Sequence, residues 1–232
     1  MTTDTSEHGL ESHISQYLVD EQSYLLRENS DYDNVNCIDK ELLFRFLENT
    51  QPKAIAKIRQ YHKELWKEKV VSLINKRITD QSLVKEMPIG GVINLFRKGI
   101  VDGHTNTKLQ LFFDKPVSVY NEAALKLYDD NLFSVMRQVH FSPKNKKSLD
   151  MMVFINGIPI ISFELKNELT HQTVQHAINQ YKDDRDPNEE IFRLGRLIVN
   201  LAVDSEEVWM CTHLRKEKSY FLPFNKGFKN GA

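Results

Sequence analysis

The segment from Leu149 to Lys166 puts two carboxylates and an ammonium into text that is otherwise apolar, and any fold for this chain has to accommodate them. Leu149-Asp150-Met151-Met152-Val153-Phe154-Ile155 reads as one strand and Asn156-Gly157 as a tight turn. Ile158-Pro159-Ile160-Ile161-Ser162-Phe163-Glu164-Leu165-Lys166 reads as a second strand. Ionised groups resist burial unless they are paired or bound to metal. A divalent cation acting on a phosphate substrate supplies the compensation that Asp150, Glu164 and Lys166 would need. The alternative is a hairpin ending in solvent, with all three groups exposed at its open end.

Spacing allows two registers. Side chains alternate faces along a strand, and directly paired residues share a face. A two-residue Asn-Gly loop pairs Ile155 with Ile158 and, carried regularly onward, Asp150 with Phe163, which sets Asp150 on the face opposite to Glu164 and Lys166. A three-residue loop, with Gly157 left-handed in a G1 bulge, pairs Phe154 with Ile158 and Asp150 with Ser162. Glu164 is then the diagonal neighbour of Asp150, about 7–8 Å away at the backbone. The metal reading needs the acids on one face, so the bulged three-residue loop is expected.

A hard cation such as Mg²⁺ takes one or two carboxylates, waters and substrate phosphate oxygens. Asp150 and Glu164 are its expected ligands, joined by the backbone carbonyl of Leu165, and Mn²⁺ is expected to substitute. Lys166 is expected to orient or help deprotonate an attacking water and to stabilise charge in the transition state.

These strands belong to a longer ordered series. Glu48-Asn49-Thr50-Gln51-Pro52, Asn131-Leu132-Phe133, Arg137-Gln138-Val139, Ser148-Leu149-Asp150, Phe154-Ile155-Asn156-Gly157-Ile158-Pro159 and Phe163-Glu164-Leu165-Lys166-Asn167 come in turn. Ala177-Ile178-Asn179-Gln180-Tyr181, Asp184-Arg185, Phe192-Arg193, Ala202-Val203-Asp204 and Phe221-Leu222-Pro223-Phe224-Asn225-Lys226-Gly227 follow. From about Glu7 to Gly227 the text resembles the N-terminal nuclease domain of the R (restriction and motor) subunit of type I restriction–modification enzymes. The resemblance implies the PD-(D/E)xK superfamily and its α/β fold, a restriction-endonuclease-like mixed sheet core flanked by helices, here with an N-terminal helical extension. Asp150, Glu164 and Lys166 fall at the motif positions, while Leu149 replaces a leading proline that is dispensable in the family.

The same resemblance implies an Mg²⁺-dependent endonuclease domain of a type I site-specific deoxyribonuclease, hydrolysing the backbone of double-stranded DNA without target specificity of its own. Specificity and methyltransferase subunits would choose the site, and the chain's own motor domains would bring the DNA. No Gly-x-x-x-x-Gly-Lys-Ser/Thr loop occurs, and the text stops at Phe228-Lys229-Asn230-Gly231-Ala232, about where the motor would begin. A fragment is therefore expected, with ATP bound only through the missing motor domains. Nucleases of this superfamily often carry a helical glutamate near the metal. Glu11 is the candidate here and Glu7 a weaker one, the alternative for Glu11 being a solvated helix flank. Some branches carry Gln-x-x-x-Tyr on a later helix. Here Gln180 and Tyr181 are adjacent and Ala177 takes the glutamine spacing, so Gln180 is the accessory candidate and Tyr181 is read as core first, accessory second. A docking module without catalysis, and a stand-alone nuclease of the same superfamily, are the competing functions.

Composition bounds rather than directs. The 232 residues, 41% apolar, suffice for a single domain, mainly helical to about residue 80 and mixed-sheet beyond. A net charge of −1 gives no bulk attraction to nucleic acid, so local patches must supply it. Lys144, Lys146 and Lys147, just before Asp150, form one candidate DNA-binding loop. The cations among Lys53, Lys57, Arg59, Lys63, Lys67, Lys69, Lys76 and Arg77 form a second candidate surface. Cys37 and Cys211 read as reduced packing residues, and with neither signal peptide nor long apolar run a cytoplasmic chain without a membrane partner is expected.

The coarse element order is mixed. Leu10, Ile14, Tyr17 and Leu18 mark an amphipathic helix; Asp39 caps a second, with Leu42, Leu43, Phe46 and Leu47 inward. After Pro52 one long helix is expected, with Ile55, Ile58, Tyr61, Leu65, Trp66, Leu73 and Ile74 on its apolar face. Strands are expected around Gly90-Gly91, Leu95-Phe96 and Leu109 to Phe113, with His104 a turn residue rather than a ligand. Asn121 caps a short helix before a strand from Leu132 to Phe141. Thr170 caps a helix bearing Val174, Ala177, Ile178 and Tyr181. Strands from Leu197 and from Val208 follow, the first parallel to the strand ending at Lys166 through a helical crossover.

Overall fold

The computed structural model describes residues 7–80, 82–84, 87–88, 90–118, 120–167 and 172–224. The N-terminal part runs α1 (Glu7–Gln22), β1 (Leu25–Arg27), β2 (Tyr32–Asp33), β3 (Ile38–Asp39), α2 (Lys40–Thr50), α3 (Pro52–His62) and α4 (Trp66–Thr79). Next come β4 (Leu83–Val84), β5 (Met87–Pro88), α5 (Val92–Lys98), β6 (Ile100–Asp102), β7 (Thr107–Leu109) and α6 (Glu122–Asp129). The remainder is β8 (Phe133–His140), β9 (Ser148–Ile155), β10 (Ile158–Leu165), α7 (Val174–Asp183), β11 (Val199–Val203), β12 (Val208–Cys211) and β13 (Leu222–Pro223).

Seven strands form one mixed sheet in the order β1-β8-β9-β10-β11-β12-β13. β8, β9 and β10 are antiparallel neighbours, and β10 and β11 are parallel, as the crossover through α7 requires. This is the restriction-endonuclease-like α/β architecture expected from the resemblance. β1, between α1 and α2, pairs parallel with β8 and so ties the helical N-terminal part into the same sheet.

Alternation along the central strands divides the core. Met151 and Val153 of β9 and Leu165 of β10 join Phe46, Ile58, Ile74 and Leu95 on one face. Met152 and Phe154 point to the other, against Ala177, Ile178 and Tyr181 of α7. A sheet covered on both faces takes near-continuous apolar strands, so any charge on β9 or β10 is forced into dry surroundings.

Three local expectations are corrected. The long helix after Pro52 is two, broken by a 3-10 turn at Lys63–Leu65 where Lys63 has φ of 52°, and Tyr61 and Leu65 are exposed rather than inward. His62, the last residue of α3, hydrogen bonds to Asp102 at 3.0 Å, which anchors the chain at the break. The segment around Leu95-Phe96 is helix α5 and not a strand; left-handed Gly91 and Gly99 bracket it and Arg97 and Lys98 occupy its last turn. The strand expected to run to Phe113 stops at Leu109, because the Gln51 side chain accepts from the Gln110 N–H and donates to its carbonyl, both at 2.8 Å. Thr170 lies outside the described residues; Thr173 is the N-cap of α7.

Candidate functional site

The β9–β10 hairpin turns through two residues, not three. Asn156 (φ 52°) and Gly157 (φ 76°) are both left-handed, and Ile155 pairs with Ile158. The two-residue turn would put Asp150 and Glu164 on opposite faces were the ladder regular, but it slips by one residue between Pro159 and Ile161. Beyond the bulge Met151 pairs with Phe163, and the next step sets Asp150 against Glu164. The acids do share a face; the sequence expected the right arrangement from the wrong bulge. The turn is locked from below. Asn156 Oδ1 accepts from Leu132 N–H at 2.7 Å, and its Nδ2 donates to Leu111 O at 2.9 Å and Asn131 Oδ1 at 3.0 Å. A Cβ on Gly157 would meet Asp39 O at 2.2 Å, so the loop sits directly on the N-cap of α2.

Glu164 is fully buried. Nε and Nη2 of Arg185 both lie 2.6 Å from its Oε1, while Oε2 is buried and has no hydrogen-bond partner among the described residues. Burial pushes its carboxyl up to about 8, Arg185 and Lys166 pulling it back and Asp150 adding to the rise. Asp150 is half-buried, its Oδ2 accepting from Leu165 N–H at 2.7 Å, and its charge reaches Glu164, Tyr181 and Arg185. Lys166 is 8% exposed and its backbone N–H donates to Val203 O. A hairpin with all three groups in open solvent is therefore excluded.

α7 closes this face. Its N-terminal Val174 N–H donates to Asp204 Oδ2 at 2.7 Å, tying the helix to the end of β11. Tyr181 is in the core, as expected, and its hydroxyl lies 2.8 Å from Ser162 Oγ, which donates in turn to Asn200 Oδ1. Burial holds that phenol protonated. Gln180 is half-buried on the same helix. Arg185, two residues past the helix, also donates to Ser148 O at 2.8 Å and lies over the Phe141 ring.

Glu11 is buried, not a solvated flank, but it faces β8: Arg137 Nε lies 2.5 Å from Oε1 and Gln138 Nε2 2.8 Å from Oε2. The Glu7 side chain lies outside the described residues. In the loop before β9, Lys147 Nζ donates to Asp184 O at 3.0 Å, Lys144 Nζ lies 3.9 Å from Glu189, and Lys146 is exposed. On the second basic surface, Arg59 is paired with Glu48 and stacks on Trp66, and Lys67 lies over Phe44.

The model for the N terminus of the type I restriction enzyme R protein matches residues 5–219. The chain belongs to that family. A comparison with curated proteins found no match. Membership in that family makes this an N-terminal domain of a type I restriction enzyme's R subunit. Among the described residues no helix is long and apolar enough to cross a membrane.

Within that family frame, the polar contact that sequence reasoning left without a role is Arg185. The signal was present: Ala177, Ile178, Tyr181 and Arg185 recur at helical spacing, which aims Arg185 at the same face as Tyr181. The donor set fits a hard cation. Two carboxylates from adjoining strands meet the usual demand of Mg²⁺ for one or two acids plus water and phosphate oxygens, and Glu164 Oε2 is left without a hydrogen-bond partner among the described residues.

Proposed function

We propose that this domain is the Mg²⁺-dependent endonuclease of a type I R subunit, hydrolysing phosphodiester bonds of double-stranded DNA without choosing the sequence. The observation that carries the reading is the buried Oε2 of Glu164, without a hydrogen-bond partner among the described residues, on the face it shares with Asp150. A buried acceptor left unsatisfied costs about 1–3 kcal/mol, more when charged. A ligand that repays the cost is the simplest reason to keep it.

Asp150, Glu164 and the carbonyl of Leu165 would hold the cation. When bound, it supplies Lewis acidity to the scissile phosphate and acidifies a water. Leu165 N–H fixes the Asp150 carboxylate, and Arg185 fixes Glu164 through one oxygen. The Lys166 ammonium orients the attacking water and offsets the negative charge that grows on the phosphate. Glu11 acts on β8 through Arg137 and Gln138, which makes it a positioning residue for the strand beside β9. Gln180 and the Lys144, Lys146 and Lys147 loop flank the centre as accessory and phosphate-contacting groups. One such centre cuts one strand, so a double-strand break needs two.

In the family's setting the specificity and methyltransferase subunits select the site, and ATP acts only through motor domains of the full-length subunit. The test is the assembled complex carrying Asp150→Ala or Lys166→Ala. Cleavage should fall by on the order of 10² or more while assembly and ATP hydrolysis persist. Loss of assembly with cleavage per complex intact would favour a docking module instead.

A further inference from the structure

A second cluster of ligand-type side chains lies on elements the nuclease reading does not use. His62 ends α3, Asp102 ends β6, and His104 sits in the turn between β6 and β7, as the sequence places it. One donor atom from each lies within 4.8 Å of the others. His62 Nε2 is 3.0 Å from Asp102 Oδ2, and His104 Nδ1 is 3.5 Å from Asp102 Oδ1. Donors around a tetrahedral zinc with arms of about 2.0–2.1 Å stand roughly 3.3 Å apart. The cluster is therefore near ligand spacing already.

Asp102 is the informative member. It is 1% exposed, and its two oxygens are treated differently. Oδ2 accepts from Thr105 Oγ at 2.7 Å and Thr105 N–H at 3.2 Å, besides facing His62. Oδ1 is buried and has no hydrogen bond among the described residues, with His104 Nδ1 facing it at 3.5 Å. Burial pushes this carboxyl up, but Thr105 and His62 outweigh that and hold it well below the usual range, so it is an anion. A structural clip between α3 and the hairpin needs only the His62 contact. It leaves both Oδ1 and the approach of His104 unexplained.

The imidazoles are oriented as well. The His62 and His104 rings meet edge to face at 5.4 Å, and Tyr61 packs on both, at 4.9 Å from His62 and 5.4 Å from His104. His62 is largely buried and His104 half-exposed, so the cluster opens to solvent on the His104 side.

We propose that His62, Asp102 and His104 form a binding site for a borderline divalent cation such as Zn²⁺, with solvent at a fourth position. Two imidazoles and one carboxylate suit zinc, nickel or cobalt, whereas Mg²⁺ prefers oxygen alone. The site thus differs in chemistry from the carboxylate pair of Asp150 and Glu164. A bound ion would fasten the α3–α4 break to the β6–β7 hairpin, and binding to the folded state alone raises stability.

The experiment is calorimetric titration of the chain with Zn²⁺ in excess Mg²⁺, for the wild type, His104→Ala and Asp150→Ala. Melting in chelator verifies that the half-exposed His104 can be replaced without loss of fold. The expected result is one Zn²⁺ that excess Mg²⁺ does not displace, weakened about 100-fold or more by His104→Ala, since even outer-shell losses cost 10–100-fold, and unchanged by Asp150→Ala. Absence of such binding in the wild type, retention in His104→Ala, or loss in Asp150→Ala would each overturn the proposal, and none would touch the nuclease reading.

Discussion

Glu11 and Glu164 are both buried glutamates set against the central sheet with an arginine beside them, yet their surroundings differ. Glu11 has a donor on each oxygen, Arg137 on Oε1 and Gln138 on Oε2, with His8 3.4 Å away. Glu164 has two nitrogens of Arg185 on a single oxygen and, among the described residues, no hydrogen-bond partner on the other. A buried carboxylate whose hydrogen bonds are complete holds elements together. One left half-satisfied is a liability to the apo fold, and it makes sense where a ligand completes it.

The largest expected difference is in cleavage by the assembled enzyme. Glu164→Gln should reduce it by on the order of 10² or more, the loss exceeding what outer-shell changes cause, whereas Glu11→Gln should reduce it only a few-fold, through the set of β8. Equal losses in the two variants would erase the contrast. Next comes stability of the metal-free domain. Arg185→Leu should cost up to about 3–5 kcal/mol well above pH 8 by stranding a buried charge. It should cost less nearer pH 8, where the Glu164 carboxyl, no longer held down by Arg185, takes up a proton instead. Arg137→Leu should cost about 1 kcal/mol, since Arg137 is one-third exposed and solvent screens it. Denaturant midpoints measured on both variants decide this, and a larger cost at Arg137 would reverse the assignment.

The smallest effect is the pH slope. Glu164 has a folded-state value of about 8 against an ordinary 4.5, so between those limits the folded state binds more protons than the unfolded. Its contribution to stability is then full below about pH 4.5 and lost as pH rises through about 8. In chelator the domain should lose stability over that window, and Glu164→Gln should flatten the slope. A wild-type slope unchanged by the substitution would assign the titration elsewhere. A separate variant probes the scaffold under the site: Gly157→Ala should lower the melting temperature by several degrees. Its φ of 76° disfavours a side chain and the added Cβ would strike Asp39 O.

The hairpin and its charged residues were legible in the sequence because charge in apolar text is conspicuous. The register was not. Ile158-Pro159-Ile160-Ile161 is apolar throughout, so alternation cannot report a slip of one residue there. Pro159 was the available mark, since proline inside a strand belongs at an edge or a bulge, and the bulge begins at Pro159. Helix α5 was missed although glycines flank it, the apolar pair Leu95-Phe96 being too short to separate helix from strand. Glu11 was correctly placed on a helix, but its partners on β8 lie 126 and 127 residues away, beyond the reach of any local pattern. The orphan oxygen of Glu164 was not legible at all, because it depends on how the Arg185 fork approaches.

A crystal of the domain soaked in Mn²⁺ and measured at the manganese edge addresses the central claim most directly. The expected result is an anomalous peak within about 2.0–2.3 Å of oxygens from both Asp150 and Glu164, lost in Asp150→Ala. A peak absent from that position, or one bound by Asp150 with the Glu164 side chain still locked wholly on Arg185, would contradict it.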